Sequence, residues 1–257
     1  MTVFHSDGVD INYHAAGTGK PVVLVHGFAS SHRINWINTG WIDQLTRNGR
    51  QVIAPDLRGH GDSTKFYSPA DYPCRLMGQD IIGLMDRLEI ESADMIGYSM
   101  GAWISSYLMV RFPERFNAVV LGGIGAVIME FHQRGEQIAR ALSTPYPEQI
   151  TQPFLRALRE FSELAGNDLR ALTACARGVY SDGPPNFQSA EKPVLVITGE
   201  KDDVAGPPEK LAALIPNAQT VIVPACDHLT ALTRREYQLE VFKFLDRHPH
   251  KKASLTQ

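Results

Sequence analysis

Short apolar runs alternate with amphipathic stretches along most of the 257-residue chain. The run at 21–25 (Pro-Val-Val-Leu-Val) has no polar position, which is typical of a strand that is buried on both faces. Apolar residues recur at helical spacing in the intervening stretches, for example at 74–88. The alternation predicts an α/β fold with a mostly parallel central sheet flanked by helices. Predicted strands lie at 2–5, 9–13, 21–25, 51–54, from 93 to the turn at 97, 118–121, 193–198 and 220–223; predicted helices lie at 36–47, 74–88, 102–111, 207–214 and 229–247.

The alternation stops after the sixth predicted strand and resumes near residue 191. Three amphipathic stretches fill the gap, at 131–142, 147–164 and 167–179, and no strand pattern occurs among them. We therefore expect a core domain of residues 1–122 and 191–257, with an all-helical insertion at 123–190. The carboxyl edge of the sheet is the natural place for such an insertion, and we interpret it as a lid. The tail from 248 onwards is expected to be solvated.

Composition narrows the class of protein. A formal net charge of −3 and a pI near 6.3 give no electrostatic case for binding nucleic acid or an acidic membrane. The three cysteines are scattered, and the histidines lack metal-ligand spacing, so neither a disulfide framework nor a metal site is expected. Without a signal peptide or a membrane-length apolar run, the sequence predicts a cytoplasmic monomer or small homo-oligomer that needs no cofactor.

The sequence Gly-x-Ser-x-Gly at 97–101 lies between a short apolar run and helix-competent sequence. Glycines two residues before and after Ser99 remove side-chain contacts at a sharp strand-to-helix turn, so the serine can hold a strained backbone. Its hydroxyl would then lie at the carboxyl end of a strand, beside a helix N-terminus that favours negative charge. Ser99 is therefore the candidate nucleophile.

A serine nucleophile needs a histidine to accept its proton and a carboxylate to orient that histidine. The expected chain order is serine, acid, histidine. His228 follows the last predicted strand and is the candidate base, whereas His26 and His60 precede glycines in tight turns, which favours structural roles. For the acid, loop position favours Asp202, and the adjacent Asp203 stays open as the alternative.

Attack on a carbonyl creates an oxyanion, which needs preorganised hydrogen-bond donors. The backbone N–H of Met100, at the start of the helix after the nucleophile, is one candidate. The loop after the strand at 21–25 places an apolar residue directly after a glycine, and this nominates the backbone N–H of Phe28 as the second. Because the backbone donates in both cases, the side chain of Phe28 should be incidental to this role.

Together these segments resemble the α/β-hydrolase family, in its lidded serine-hydrolase branch of esterase-like and lactonase-like enzymes. The resemblance covers residues 4–247. Residues 26–28 resemble the family's oxyanion loop, 56–63 its Asp-x-x-Gly-x-Gly-x-Ser turn, 97–101 its nucleophile elbow, and 199–202 and 227–228 its acid and base segments. The resemblance implies an α/β-hydrolase fold with a catalytic triad of Ser99, Asp202 and His228. Relatives that open epoxides or displace halide carry aspartate at the elbow, so Ser99 argues against those activities.

The sequence thus predicts a serine hydrolase that cleaves a carboxylic ester, lactone or thioester of a small, largely apolar substrate through an acyl-enzyme. Phe28, Phe131, Phe154 and Leu229 are the candidates for an apolar substrate pocket. Carbon–carbon bond hydrolysis of a diketone and perhydrolysis would use the same triad and remain alternatives. A small-molecule receptor on the same scaffold, with slow or vestigial hydrolysis, is the alternative from another class.

Overall fold

A computed structural model describes residues 2–6, 8–126 and 131–250. The strands are β1 Thr2–Ser6, β2 Val9–Ala16, β3 Lys20–Val25, β4 Arg50–Pro55, β5 Ala93–Tyr98, β6 Phe116–Gly122, β7 Val194–Gly199 and β8 Ala218–Val223. They form one sheet in the order β1-β2-β4-β3-β5-β6-β7-β8. The pairs β1–β2 and β2–β4 are antiparallel, and the other pairs are parallel. The predicted mostly parallel sheet is confirmed.

Helices flank this sheet on both faces. The helices of the described residues are α1 Trp41–Arg47, α2 Cys74–Arg87, α3 Met100–Arg111, α4 Phe131–Ser143, α5 Pro153–Leu164, α6 Leu169–Gly178, α7 Pro208–Ala212 and α8 Arg235–Arg247. Three of them, α4, α5 and α6, lie between β6 and β7 in the chain, where the sequence predicts the all-helical insertion. We call residues 123–190 the helical insertion. Within the described ranges, no helix combines the length and the hydropathy of a membrane span.

The core has two layers because successive side chains of a strand point to opposite faces of the sheet. In β3, Val23 and Val25 pack against α2 and α3, while Val22 and Leu24 pack against α1 and α8. All four side chains are completely buried. Burial on both faces explains why the central strands read as unbroken apolar runs.

Helix α1 is shorter than the predicted helix at 36–47. A π-helical turn spans Arg33–Ile37, and α1 begins only at Trp41. Between them Gly40 takes a left-handed conformation with φ of 78°, which interrupts the helical hydrogen bonds.

Two further predicted helices start late. The stretch 147–164 divides into a 3-10 turn, Pro147–Gln149, and α5, which begins at Pro153 because proline lacks an N–H and suits the first turn of a helix. The predicted helix at 229–247 likewise divides into a 3-10 turn, Ala231–Thr233, followed by α8. The segment that carries His228 is therefore a loop.

The prediction of a solvated tail from 248 is wrong for its first residues. The backbone carbonyl of His248 accepts a hydrogen bond from Asn117 Nδ2 at 2.6 Å. His250 Nε2 lies 3.2 Å from Asp94 Oδ1, whose carboxylate is fully buried. Asp94 and Asn117 belong to the amino ends of β5 and β6, so residues 248–250 pack there, opposite the carboxyl edge. The rest of the predicted tail, 251–257, lies outside the described residues.

Candidate active site

Ser99 occupies the turn between β5 and α3 with φ of 53° and ψ of −117°, a strained conformation for a residue with a side chain. The flanking glycines make the turn possible. A Cβ on Gly97 would lie 2.5 Å from the carbonyl oxygen of Gly101, and a Cβ on Gly101 would lie 2.6 Å from that of His26. The Ser99 N–H donates to the carbonyl of Gly122 at 2.8 Å, which fixes the turn to β6.

A hydrogen-bonded chain links three of the predicted site residues. His228 Nε2 lies 3.0 Å from Ser99 Oγ, and His228 Nδ1 lies 2.9 Å from Asp202 Oδ2. Asp202 is buried, and its Oδ1 also accepts the N–H of Ala205 at 2.9 Å. The imidazole is thus held by a carboxylate on one nitrogen and faces a hydroxyl with the other. This arrangement can take a proton from the serine.

The parallel sheet explains why these residues meet although they lie far apart in the chain. Ser99 follows β5, Asp202 follows β7 and His228 follows β8, each at the carboxyl end of its strand. These ends share one edge of the sheet. Asp203, the alternative acid, is exposed and lies at the cavity described below, while its N–H donates to the carbonyl of Lys201.

The two predicted oxyanion donors belong to segments that lie at the same edge, Phe28 to the loop after β3 and Met100 to the start of α3. The Gly27 N–H donates to Asn35 Oδ1 at 2.8 Å, and Ala29 takes a left-handed φ of 57°. Phe28 lies between them and lines the cavity next to Ser99. Met100 is the first residue of α3, so its N–H has no acceptor within the helix.

Two buried histidines, His26 and His60, pack against the loop after β3. His26 accepts the N–H of Leu57 at its Nε2 and contacts the carbonyl of Gly27 through Nδ1 at 2.8 Å. The ring of His60 packs edge-on against Phe28, with centroids 5.6 Å apart. Burial lowers the pKa of His26, and burial together with His26 lowers that of His60 to about 3. Both rings are therefore neutral at pH 7, in keeping with the structural roles predicted for them.

A cavity of about 470 Å³ opens beside Ser99 and His228. Of the predicted pocket residues, Phe28, Phe154 and Leu229 line it, and the Phe154 ring lies 6.4 Å from that of His228. The side chain of Phe131, the fourth, lies outside the described residues. Further apolar side chains on the cavity wall are Ile34, Ile138, Leu155, Leu158, Phe161 and Leu232.

Two polar contacts at the site have no signature in the sequence. Asn35 binds the Gly27 N–H from a π-helical turn, and the hydroxyl of Tyr98 donates to the backbone carbonyl of His228. Both contacts join segments that are distant in the sequence, so no periodicity or motif marks them. Across the described ranges, no three His, Cys, Asp or Glu side chains come together as a metal site would require.

The chain resembles known proteins in sequence and in structure. Residues 20–148 match the family described as alpha/beta hydrolase fold. The chain is 30% identical to 3-oxoadipate enol-lactonase 2 of Acinetobacter baylyi, over 79% of this chain and 82% of that protein. It is 36% identical to 2-hydroxymuconate semialdehyde hydrolase of Pseudomonas sp. (strain CF600), over 88% and 86%. The crystal structure of a hydrolase from Pseudomonas aeruginosa PA01 has the same fold, with a TM-score of 0.79 at 24% identity over 95% of this chain and 97% of that one.

Proposed function

Since the chain belongs to the α/β-hydrolase family and is a hydrolase, we propose that it cleaves a carboxylic ester, lactone or thioester of a small, largely apolar substrate. One observation carries the proposal. The hydrogen-bonded chain from Asp202 through His228 to Ser99 ends at the wall of an apolar cavity. A nucleophile that faces such a cavity meets the carbonyl carbon of a bound acyl group.

Acylation begins when Ser99 Oγ attacks the substrate carbonyl and its proton moves to His228 Nε2. Asp202 accepts the Nδ1 hydrogen of the imidazole, holds the ring in the correct tautomer and stabilises its positive charge. The carbonyl oxygen becomes an oxyanion, to which the backbone N–H groups of Phe28 and Met100 donate. When the tetrahedral intermediate collapses, the carbon–heteroatom bond breaks and the leaving group takes the proton from Nε2.

Deacylation repeats these steps with water. A water molecule gives a proton to His228 Nε2 and attacks the acyl carbon, so that a second oxyanion forms at the same donors. Collapse breaks the bond to Ser99 Oγ, which recovers its proton from the imidazole. The products are a carboxylic acid and the alcohol or thiol released earlier; a lactone yields both groups in one molecule.

We assign the helical insertion to the role of a lid. Helices α4 and α5 contribute Ile138, Phe154 and Leu158 to the cavity wall. Apolar side chains over the nucleophile exclude bulk water and strengthen the electrostatic interactions inside the site, while a single water molecule still enters for deacylation. They also suit the apolar substrate class proposed above.

Covalent labelling tests the nucleophile directly. We expect a fluorophosphonate probe to modify the purified protein once, with the adduct mapped by peptide mass spectrometry to Ser99. Ser99→Ala should abolish labelling and lower kcat on short aryl esters by at least ~10⁴-fold. An adduct at another residue, or hydrolysis retained by Ser99→Ala, would contradict the proposal. Binding of these esters with negligible turnover would favour the receptor alternative.

A second variant tests the assignment of the Phe28 N–H as an oxyanion donor. Phe28→Ala changes a side chain but keeps the backbone N–H, so kcat should stay within about tenfold of the unmodified protein while KM rises through loss of an apolar contact. Removing one true oxyanion donor costs about 10²- to 10³-fold in kcat. A decrease in kcat in Phe28→Ala as large as the decrease in Ser99→Ala would argue against the Phe28 N–H as the oxyanion donor.

A carbonyl compound without an ester bond is the second candidate substrate. The relative from Pseudomonas sp. (strain CF600) is named as the hydrolase of a semialdehyde, and the same three side chains could serve hydrolysis of a carbon–carbon bond in a diketone. Parallel assays with aryl esters and with a vinylogous diketone, normalised to sites titrated by the fluorophosphonate, separate the two. The substrate with the higher kcat/KM identifies the favoured bond.

A further inference from the structure

Tyr98 lies between Gly97 and Ser99, and its side chain extends beneath the base. Only 5% of the residue is exposed, and its hydroxyl donates to the backbone carbonyl of His228 at 2.5 Å. The phenol ring also packs against the imidazole of His228, with ring centroids 5.3 Å apart and an angle of 37° between the planes. Tyr98 therefore contacts both the backbone and the ring of the residue that faces Ser99 Oγ.

A slot at the end of β6 fits this ring. A Cβ on Gly123 would lie 2.8 Å from Tyr98 Cζ, and a Cβ on Gly122 would lie 3.1 Å from Tyr98 Cδ2. On another side the ring of Tyr237 stands edge-on, with centroids 6.4 Å apart. The two glycines leave room for a tyrosine at this position, and the surrounding groups keep its ring in one place.

The Lys201 N–H donates to the carbonyl of Cys226, and Trp41 Nε1 donates to the carbonyl of Leu232, both at 2.9 Å. The loop that Tyr98 contacts is thus anchored on either side of His228, and Tyr98 reaches its backbone between these anchors. It connects β8 to α8 and contains Ala225 in a left-handed conformation, with φ of 56°. Leu229, directly after His228, is 67% exposed. The Asp227 carboxylate accepts the N–H groups of residues 229 and 230 and so shapes the loop locally, without tying it to the sheet. The contact with Tyr98 joins the loop to the strand that carries the nucleophile.

We infer that Tyr98 is a positioning residue, which keeps the imidazole of His228 at the distance at which Nε2 can accept the proton of Ser99. The inference rests on the proposed function, because it assigns His228 the part of base. Asp202 orients the ring through Nδ1, and Tyr98 fixes the backbone from which the ring extends. The hydroxyl contact links the strand that precedes the nucleophile directly to the backbone of the base. Burial, and secondly Tyr237, raises the pKa of Tyr98 well above its ordinary value, so the hydroxyl remains a donor throughout the working pH range.

Tyr98→Phe tests the inference because it removes the donor and keeps the ring in its slot. We expect kcat on a short aryl ester to fall about tenfold, with KM changed by less than about twofold, since a displaced base slows chemistry without altering the cavity. The rate of fluorophosphonate labelling at Ser99 should fall by the same factor. Rates are normalised to titrated sites, so that unfolded protein does not count.

Tyr72→Phe is the matched control. Tyr72 is also a buried tyrosine, and its hydroxyl donates to the backbone carbonyl of Phe66 at 2.7 Å, away from the residues that line the cavity. Loss of a buried hydroxyl should lower Tm by roughly 2–4 °C in either variant, whereas only Tyr98→Phe should lower kcat. Equal rates in Tyr98→Phe and the unmodified protein would overturn the inference. So would equal losses in both variants, or failure of Tyr98→Phe alone to fold, because either result would make the hydroxyl a requirement of the fold.

The labelling experiment separates this inference from the function on which it rests. If the protein without substitutions is neither labelled at Ser99 nor active on esters or diketones, the proposed function fails. If it is labelled and active while Tyr98→Phe matches it, only the role of Tyr98 fails.

Discussion

Two adjacent aspartates follow β7, and only Asp202 is placed to orient the imidazole of His228. Asp202 turns inward, where its carboxylate meets His228 Nδ1 and the N–H of Ala205. Asp203 is exposed and lies at the cavity, where its carboxylate makes no contact with the imidazole among the described hydrogen bonds. The two side chains have the same chemistry, so only the direction of each Cα–Cβ bond decides which can orient the imidazole.

We predict that Asp202→Asn lowers kcat about 10³- to 10⁴-fold, because an amide in place of the carboxylate favours the wrong tautomer of His228 and cannot stabilise its charge. Asp203→Asn, an equal chemical change one residue away, should stay within about threefold. The measurement is kcat on an aryl ester, normalised to titrated sites. A large decrease in kcat in Asp203→Asn, together with a small decrease in Asp202→Asn, would reverse the assignment of the acid.

The buried His60 should make the fold sensitive to acid. Burial, then His26, lowers its folded-state pKa from 6.5 to about 3, so between these values the unfolded chain binds a proton that the folded protein does not. The difference in proton binding lowers the free energy of unfolding as the pH falls from 6.5 towards 3, by about 1.4 kcal/mol per pH unit. Above pH 6.5 this loss is absent. His60→Asn should therefore unfold with a shallower dependence on pH in denaturant titrations from pH 7 to 5. Identical slopes for both proteins would show that His60 does not contribute.

At the scale of elements, the close contact between α3 and β3 sets the position of Ser99, the proposed nucleophile. Gly101 lies in the first turn of α3, directly against the carbonyls of Val25 and His26 at the end of β3. Helix and strand can approach this closely only because no side chain stands between them. The N-terminus of α3 therefore lies close to the loop after β3, which carries the proposed oxyanion donor Phe28.

Gly101→Ala should destabilise the fold by roughly 3 kcal/mol or more, because the added methyl would meet rigid backbone oxygens. Gly78→Ala in α2 is the matched control. There the new Cβ would lie 3.0 Å from Leu108 Cδ2, the end of a flexible side chain, and helix propensity gains about 1 kcal/mol. Denaturant midpoints of the two variants measure the difference. Similar midpoints would mean that α3 can move away from β3 without loss.

The elements also show where prediction from sequence succeeds. Strands such as β3 and β7 are recognisable because burial on both faces leaves an unbroken apolar run. The late starts of α1 and α8 depend on a left-handed glycine and a 3-10 turn, which the apolar pattern does not encode. The triad candidates follow from motif and chain order, whereas the contacts of Tyr98 and Asn35 arise only when distant segments meet. The packing of His250 at Asp94 is of the same kind.

Across the whole molecule, the helical insertion supports the loop that carries the Phe28 N–H. Asn167, between α5 and α6, donates from Nδ2 to the carbonyl of Ala29 at 2.7 Å. Ala29 is buried against Leu142 and Leu172, which belong to α4 and α6. The insertion thus lines the cavity and also holds the strained turn next to Phe28, whose N–H is the proposed oxyanion donor.

Asn167→Ala should consequently lower kcat about fivefold to tenfold while lowering the free energy of unfolding by only about 1 kcal/mol, the usual cost of one hydrogen bond. A loosened oxyanion loop weakens binding of the transition state more than binding of the substrate, so affinity for a trifluoromethyl ketone should fall in step with kcat/KM. Asn186→Ala is the control, because Asn186 also lies in the insertion, where its side chain donates to the hydroxyl of Ser189 at the surface. A loss of stability without a change in kcat would confine Asn167 to holding the insertion in place, whereas parallel losses of kcat and inhibitor affinity would tie the insertion to the chemistry at Ser99.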